Sequence, residues 1–523
     1  MALPAKQTEL SSLTFGDDSK KLKDDILETH TEELIIGLCG PIGTDIHFVS
    51  ESIKKILTEQ FNYECKIIKL SSLIEKHNED GVSIPDSTHF FDRIKSLIKI
   101  GNSLRQKYAL DILAELAITE ISVNRQEIQI QLEKEGKLDK DEFKSYRICY
   151  IIDSIKNLEE LKLFKLIYSD IFYSIGVFSP VEIRKQNLIA KGVNEVNILE
   201  LINQDSGEEK AYGQKVTDTF VSSDFFLRFE NNSFNVIENK IRRYLHLIFN
   251  TEIITPSSNE TAMYIAASAA GNSACLSRQV GASVTDEKGD VLGVGWNEVP
   301  KAGGSVYQYS EDDPLGKNDH RCMNYGGKCY NDFEKTMIAE ILIDDMIKEN
   351  LVEEKNKNQL IELVRKKSKI KDLIEFSRAV HAEMHAIIQA AHNAGEKIIG
   401  GKLFCTTYPC HNCARHIIAA GIKEVFYIEP YRKSLATKLH GDSITEDESK
   451  IQLVRILMYE GVSPTRYLDF FKMVPGLRKR DGLKLNIPTK DARPKNTLSL
   501  QAIPILEKKV TLSLVKRNLI SVK

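Results

Sequence analysis

The sequence predicts an α/β protein of two domains in series. Three observations point there: its length, apolar runs of strand length separated by helical stretches, and a polar break near residue 257. At 523 residues the chain exceeds what one ordinary core serves, so two domains of roughly 200 residues each are expected. Hydrophobic content of 42% and charged content of 28% are those of a soluble globular protein.

Residues 1–30 read as a flexible lead, polar and mixed in charge. They lack the basic start and apolar run of a secretory signal, so a cytoplasmic protein is expected. The first strand signal is Glu33-Leu34-Ile35-Ile36-Gly37-Leu38-Cys39, which ends in the turn Gly40-Pro41-Ile42-Gly43 and leads into a helical stretch. Two further apolar runs, at residues 147–153 and 171–177, have the continuous hydrophobicity of buried parallel strands. This rhythm sets an α/β domain at residues 31–250.

Thr255-Pro256-Ser257-Ser258-Asn259-Glu260 is the clearest linker, and a helical segment rich in small residues follows at 263–276. Residues 279–286 and 291–296, split by the turn at 287–290, predict a hairpin. The second domain is therefore placed at 260–475, with an insertion at about 300–377 that is polar and then helical. Residues 476–523 form a basic extension, with twelve Lys or Arg from Leu477 to Lys523 against Asp481, Asp491 and Glu507. Such a run is a solvated tail, or else a contact for nucleic acid or an acidic partner.

Composition also excludes. No stretch approaches the roughly 18 apolar residues of a membrane span. The net charge of −3 argues against a surface built to neutralise a long phosphate backbone. Nine cysteines, an odd number, point to metal binding or burial and away from a disulfide framework.

The chemistry concentrates in His381-Ala382-Glu383 and Pro409-Cys410-His411-Asn412-Cys413. With twenty-five residues between Glu383 and Pro409, the pair matches the H-x-E and P-C-x-x-C signature of zinc nucleobase deaminases. One imidazole and two thiolates (His381, Cys410, Cys413) offset the charge of Zn2+ and leave a fourth position for water. Glu383, two residues from a ligand and no ligand itself, suits proton transfer to the ring and the leaving ammonia. The plain alternative is a structural or redox C-x-x-C pair beside a core histidine. His385 makes no zincin motif with His381, because that motif has its glutamate directly after the first histidine; it is expected to be packed or to support the ligands.

Residues of about 260–470 resemble the deoxycytidylate deaminase family. Besides the zinc motif, Ser277-Arg278-Gln279-Val280-Gly281-Ala282 and Gly293-Val294-Gly295-Trp296-Asn297-Glu298-Val299-Pro300 carry the likeness. It implies a cytidine-deaminase-like α/β/α domain in which Asn297 hydrogen-bonds the deoxyribose. The insertion departs from small family members; its His320, Cys322 and Cys329, with Cys275, are candidates for a second, structural zinc. The alternative is a polar loop with free thiols and a small core cysteine.

Gly40-Pro41-Ile42-Gly43-Thr44 resembles the first half of a nucleotide-kinase phosphate loop, which implies a degenerate P-loop kinase-like parallel-sheet domain. Asp45, Ile46 and His47 stand where the pattern has its second glycine, its lysine and its magnesium-binding hydroxyl. Gly40, Gly43, Thr44 and Asp153 remain candidates for holding a nucleotide, and Arg184 resembles a lid arginine. Efficient phosphoryl transfer is not expected.

Together, the halves resemble the two-domain bacterial deoxycytidine deaminases of anti-phage defence; Tyr431-Arg432-Lys433-Ser434 with Leu439-His440 adds to the likeness. That resemblance implies conversion of dCTP or dCMP to dUTP or dUMP with release of ammonia, depletion of the nucleotide pool, a homo-oligomer, and restraint by a small RNA. Two alternatives stay open: a base deaminase acting on tRNA or single-stranded DNA, and a nucleotide-sensing binding module.

Overall fold

Buried apolar runs become the middle of a parallel sheet. β1 (Leu34–Cys39) and β3 (Ile148–Asp153) are buried at every position, and β4 (Phe172–Phe178) at all but its last. With β2 (Glu64–Lys69) and β5 (Phe225–Arg228) they form five parallel strands in the order β2-β3-β1-β4-β5. The computed structural model describes residues 29–521 except 87, 137–145, 207–212, 230–233, 432–433, 474–475, 477 and 501. The expected lead at 1–30 therefore lies outside the described residues save for its last two.

The helix Ile46–Phe61 begins at Asp45, whose carboxylate accepts the N–H of Phe48 at 3.3 Å, and ends at Asn62 in the left-handed region, φ 57°. It covers one face of the sheet with Phe234–Phe249. The other face is covered by Ile112–Lys134, Leu158–Tyr168 and, from the far end of the chain, Ile503–Lys516.

The basic extension is thus no solvated tail. Leu500, Ile503, Val510 and Leu514 are buried in the N-terminal core, while Lys508 and Lys509 face outward. Arg125, itself buried, pairs with Glu33 and Glu507, and the Tyr168 hydroxyl donates to Glu507 at 2.8 Å. Residues 29–31 also pair with the extension, Leu498 O accepting from Thr31 at 2.9 Å. Apolar positions at helical spacing carry this segment into the core, and its charges ride on the outer face.

A second sheet has the order β10-β11-β9-β8-β6-β7. β6 (Gly281–Thr285) and β7 (Val291–Trp296) form the expected antiparallel hairpin, and β6 also runs antiparallel to β8 (Lys402–Thr407). Parallel pairing then continues through β9 (Glu424–Glu429), β11 (Val454–Met458) and β10 (Ile444–Thr445). The insertion folds chiefly as two helices, Tyr330–Lys348 and Lys357–Lys367.

The halves are stitched together. After β11 the chain crosses to the first sheet, where β12 (Gly461–Val462) pairs antiparallel with β5. Glu260, in the capping box that starts the helix Ser258–Ala270, accepts from Ser257 N–H at 2.7 Å and Val462 N–H at 3.0 Å and binds Arg243 through both carboxylate oxygens.

Candidate active site

The site is built where two helices begin. The helix Ala382–Ala394 lies directly on the backbone of β7: a Cβ on Gly295 would stand 2.3 Å from Ala386 N, and one on Gly293 2.5 Å from Ala386 O. That close approach sets the first turn of the helix, with His381 at its N-cap and Glu383 inside it. β8 delivers the chain to Cys410, the N-cap of the helix His411–Ala419, whose sulfur accepts the N–H of Cys413 at 3.4 Å.

These starts converge. His381 Nδ1 lies 3.3 Å from both Cys410 Sγ and Cys413 Sγ, and the three ligand atoms lie within 4.8 Å of one another. Tetrahedral bonds of about 2.3 Å to sulfur and about 2.0 Å to nitrogen put ligand atoms roughly 3.5–3.8 Å apart, so this donor set fits a zinc ion. The chemistry agrees, since thiolate and imidazole are the donors zinc takes.

In the metal-free site the electrostatics favour one thiolate, that of Cys410. Hydrogen bonding with Cys413, together with His381, holds Cys410 down at about 4, and its place at a helix start favours the thiolate further. The same contact raises His381 to about 9, while the bond with Cys410 and burial keep Cys413 well up. Glu383 is 4% exposed, and burial pushes it up to about 7.

A cavity of about 630 Å³ opens onto this cluster, with His381, Glu383 and Cys410 in its wall. Asn297 lies there too, 8% exposed, but its amide braces the neighbouring strand: Nδ2 donates to Arg278 O at 2.8 Å and Oδ1 accepts from Val280 N–H at 2.7 Å. One N–H and one lone pair remain for a ligand. His385 is a packing residue, with Nδ1 against the Trp296 backbone and its ring edge-on to that indole at 4.8 Å.

The four candidates for a second zinc are not brought together. Cys275, Cys322 and Cys329 all line the cavity, Cys329 beside Ser277 Oγ at 3.1 Å and Cys322 3.9 Å from an Arg378 nitrogen. His320 instead packs its ring between Tyr307 and Tyr325. Among the described residues, His381, Cys410 and Cys413 are the one His/Cys/Asp/Glu cluster of metal-binding size.

Two wall residues were missed by sequence reasoning. Lys335, 8% exposed within the insertion, donates from Nζ to Lys371 O at 3.1 Å, and the Arg378 guanidinium lies over Tyr325 and Tyr330. Both line the cavity, and neither has a carboxylate partner among the described residues. Near Tyr431, Arg432 and Lys433 lie outside the described residues, whereas Ser434 Oγ donates to Pro409 O at 2.8 Å.

In the N-terminal half, Gly43 takes φ 85°, and a Cβ there would meet Arg184 O at 2.7 Å. Arg184 is no lid residue: it is buried, and its Nε donates to Ile42 O at 2.7 Å, bracing the loop. Gly43, Thr44 and Asp153 line a second cavity of about 270 Å³ at the C-terminal ends of the strands.

Residues 256–429 match the model of the "Cytidine and deoxycytidylate deaminase zinc-binding region". Over 56 residues the chain is 45% identical to ComE operon protein 2 of Bacillus subtilis (strain 168), covering 11% of this chain and 29% of that protein. It is 27% identical over 184 residues to the deoxycytidylate deaminase of Enterobacteria phage T4, covering 33% of this chain and 79% of the relative. A dCMP deaminase from cyanophage S-TIM5, solved in complex with dCMP and dUMP, matches 39% of this chain and 99% of its own at 20% identity and a TM-score of 0.22. No helix among the described residues is long and apolar enough to cross a membrane.

Proposed function

We propose that this chain, whose residues 256–429 form a cytidine and deoxycytidylate deaminase domain, hydrolyses deoxycytidine nucleotides, converting dCTP or dCMP to dUTP or dUMP and ammonia. The observation that carries the reading is the convergence of His381, Cys410 and Cys413 on one cluster, with His381, Cys410 and the buried Glu383 in the wall of one cavity.

His381, Cys410 and Cys413 would hold the zinc. When bound, zinc supplies Lewis acidity and lowers the pKa of the attacking water. Glu383 would carry one proton of the attacking water to ring N3 and the second, from the oxygen added at C4, to the amino group, which leaves as ammonia, so that C4 exchanges nitrogen for oxygen. Its burial suits both halves of that shuttle, because a carboxyl raised toward neutrality accepts and returns a proton at little cost. Asn297 offers its remaining N–H and lone pair to the sugar. Lys335 and Arg378, cations in the cavity wall without carboxylate partners among the described residues, meet the phosphates.

The resemblance to anti-phage deoxycytidine deaminases supports pool depletion as the biological outcome, with a homo-oligomer and a small RNA as further expectations. The five-strand parallel order and the glycine loop after β1 support a kinase-like N-terminal scaffold that holds a nucleotide without transferring phosphate.

Ammonia release and product identity, measured with dCTP, dCMP, CTP and a cytosine-containing oligonucleotide, test the reading beside a Glu383→Ala control. Turnover of the free deoxynucleotides, lost in the control, is expected. Turnover of the oligonucleotide alone would transfer the protein to the polynucleotide class. Biological activity surviving in the Glu383→Ala protein would make it a binding module.

A further inference from the structure

One wall of the active-site cavity is braced from the N-terminal domain. Tyr408, two residues before Cys410, is 8% exposed and lies in that wall. Its N–H donates to Glu429 O at 2.8 Å, so the neighbouring strand fixes its backbone. Its ring packs edge-on against Tyr427 at 4.9 Å. Its hydroxyl donates to Glu446 Oε1 at 2.8 Å, and Thr437 bonds the same phenol.

Glu446 stands in the loop after β10. Two residues further on, Glu448 Oε2 accepts from an Arg228 nitrogen at 2.6 Å. Arg228 is the last residue of β5 in the first sheet and is 7% exposed, and a guanidinium so buried makes a charge-assisted bond that resists separation. One carboxylate of the loop thus grips the cavity wall, and the other grips the N-terminal domain. The turn between them is stiff. Thr445 Oγ1 accepts the N–H of Asp447 at 3.1 Å, Asp447 Oδ1 accepts that of Ser449 at 3.0 Å, and Glu448 O accepts from Arg455 at 3.3 Å. A shift at Glu448 is therefore passed to Glu446.

We infer that Tyr408 is a positioning residue for the deaminase, its ring shaping the substrate cavity, and that the N-terminal domain holds it there through Arg228 and the loop 446–448. This rests on the deamination reading above, and it gives the N-terminal domain a part in substrate binding that needs no ligand of its own. Because the Tyr408 backbone is fixed separately, loosening the loop frees the ring and leaves the Cys410 turn in place. Substrate binding is then the step that suffers, while the zinc ligands and the Glu383 shuttle are untouched.

Steady-state deamination of dCMP and dCTP by the full chain tests this in the wild type, Arg228→Met, Tyr408→Phe and the double variant. Methionine keeps much of the arginine stem, and Glu448, whose side chain is 41% exposed, is left to water. Each single variant is expected to raise KM about tenfold, the worth of one hydrogen bond, with kcat within about twofold and the zinc-to-protein ratio unchanged. Because both changes cut one connection, the double variant is expected to lose no more than the worse single one. Glu448→Gln is expected to repeat Arg228→Met, which keeps the inference testable should the arginine prove essential for folding. Losses that multiply to about a hundredfold in the double variant, or a fall in kcat at unchanged KM, would overturn the inference. Hydrogen exchange needs no turnover: the amides of Asp447 and Ser449 are expected to exchange faster in Arg228→Met and Tyr408→Phe alike. Unchanged exchange there in either variant would also overturn it. A wild type that turns over neither nucleotide would refute the deamination reading instead, with exchange still deciding whether the loop joins Arg228 to Tyr408.

Discussion

Replacing Arg125 with Met removes the single cation between two buried carboxylates. Glu33 and Glu507 are each 1% exposed, Arg125 contacts both, and burial already pushes Glu507 above its usual range. Without the guanidinium the two carboxyls must share a proton in the folded state, whereas both are ionised when unfolded. Keeping that proton against an unfolded pKa of about 4.3 costs about 4 kcal/mol at pH 7.5 and about 1.6 kcal/mol at pH 5.5, at about 1.36 kcal/mol per unit. The variant's folded state binds more protons than its unfolded state, so its stability falls as pH rises through this window. Hydrogen exchange in the helix Ile503–Lys516, normalised to intrinsic rates, reads the loss locally in a protein too large for two-state unfolding. Protection should drop roughly a thousandfold at pH 7.5 and roughly tenfold at pH 5.5. Unchanged protection, or an equal loss at both pH values, would refute the idea that this network pins the C-terminal helix.

Three other outcomes follow from the site. Gly295→Ala drives a Cβ to 2.3 Å from Ala386 N, so the helix bearing His381 must lift; a loss of about 1–3 kcal/mol and a lower zinc-to-protein ratio are expected by thermal melt and metal analysis. Cys410→Ser removes the ligand held as thiolate, and zinc retained by the wild type against a moderate chelator should be stripped from the variant, as metal analysis after desalting would show. Lys335→Met and Arg378→Met should each lower kcat/KM for dCMP and dCTP by about 10–100-fold, the worth of one charged hydrogen bond, with deoxycytidine nearly unaffected. Equal losses on all three substrates would mean that these side chains shape the wall without meeting phosphate.

The deaminase motif was legible because it is local. His381 and Glu383 fall in one helix start, and Cys410 and Cys413 in another, so helical geometry alone puts each pair together. The strands β1, β3 and β4 were equally legible, since a strand buried on both faces has to be apolar throughout. Asn297 was found by its motif, but its two bonds to the backbone at 278 and 280 are visible only in the fold. Cys275, His320, Cys322 and Cys329 were chosen by residue type, and among the described residues they form no cluster of metal-binding size, since residues scattered along a loop carry no periodicity that sets their side chains together.

By itself, the sequence determined which segments bury themselves and which residues could meet zinc, because both follow from contacts spanning a few positions. Tertiary structure decided everything that joins distant segments. The extension after residue 476 became part of the N-terminal core, Gly461–Val462 joined the first sheet, and Lys156 and Asp205 came to the glycine loop from 116 and 163 residues away. Local pattern sets what a segment prefers, but which partner it meets is chosen by how whole layers pack, and charge or residue type along the chain does not encode that choice.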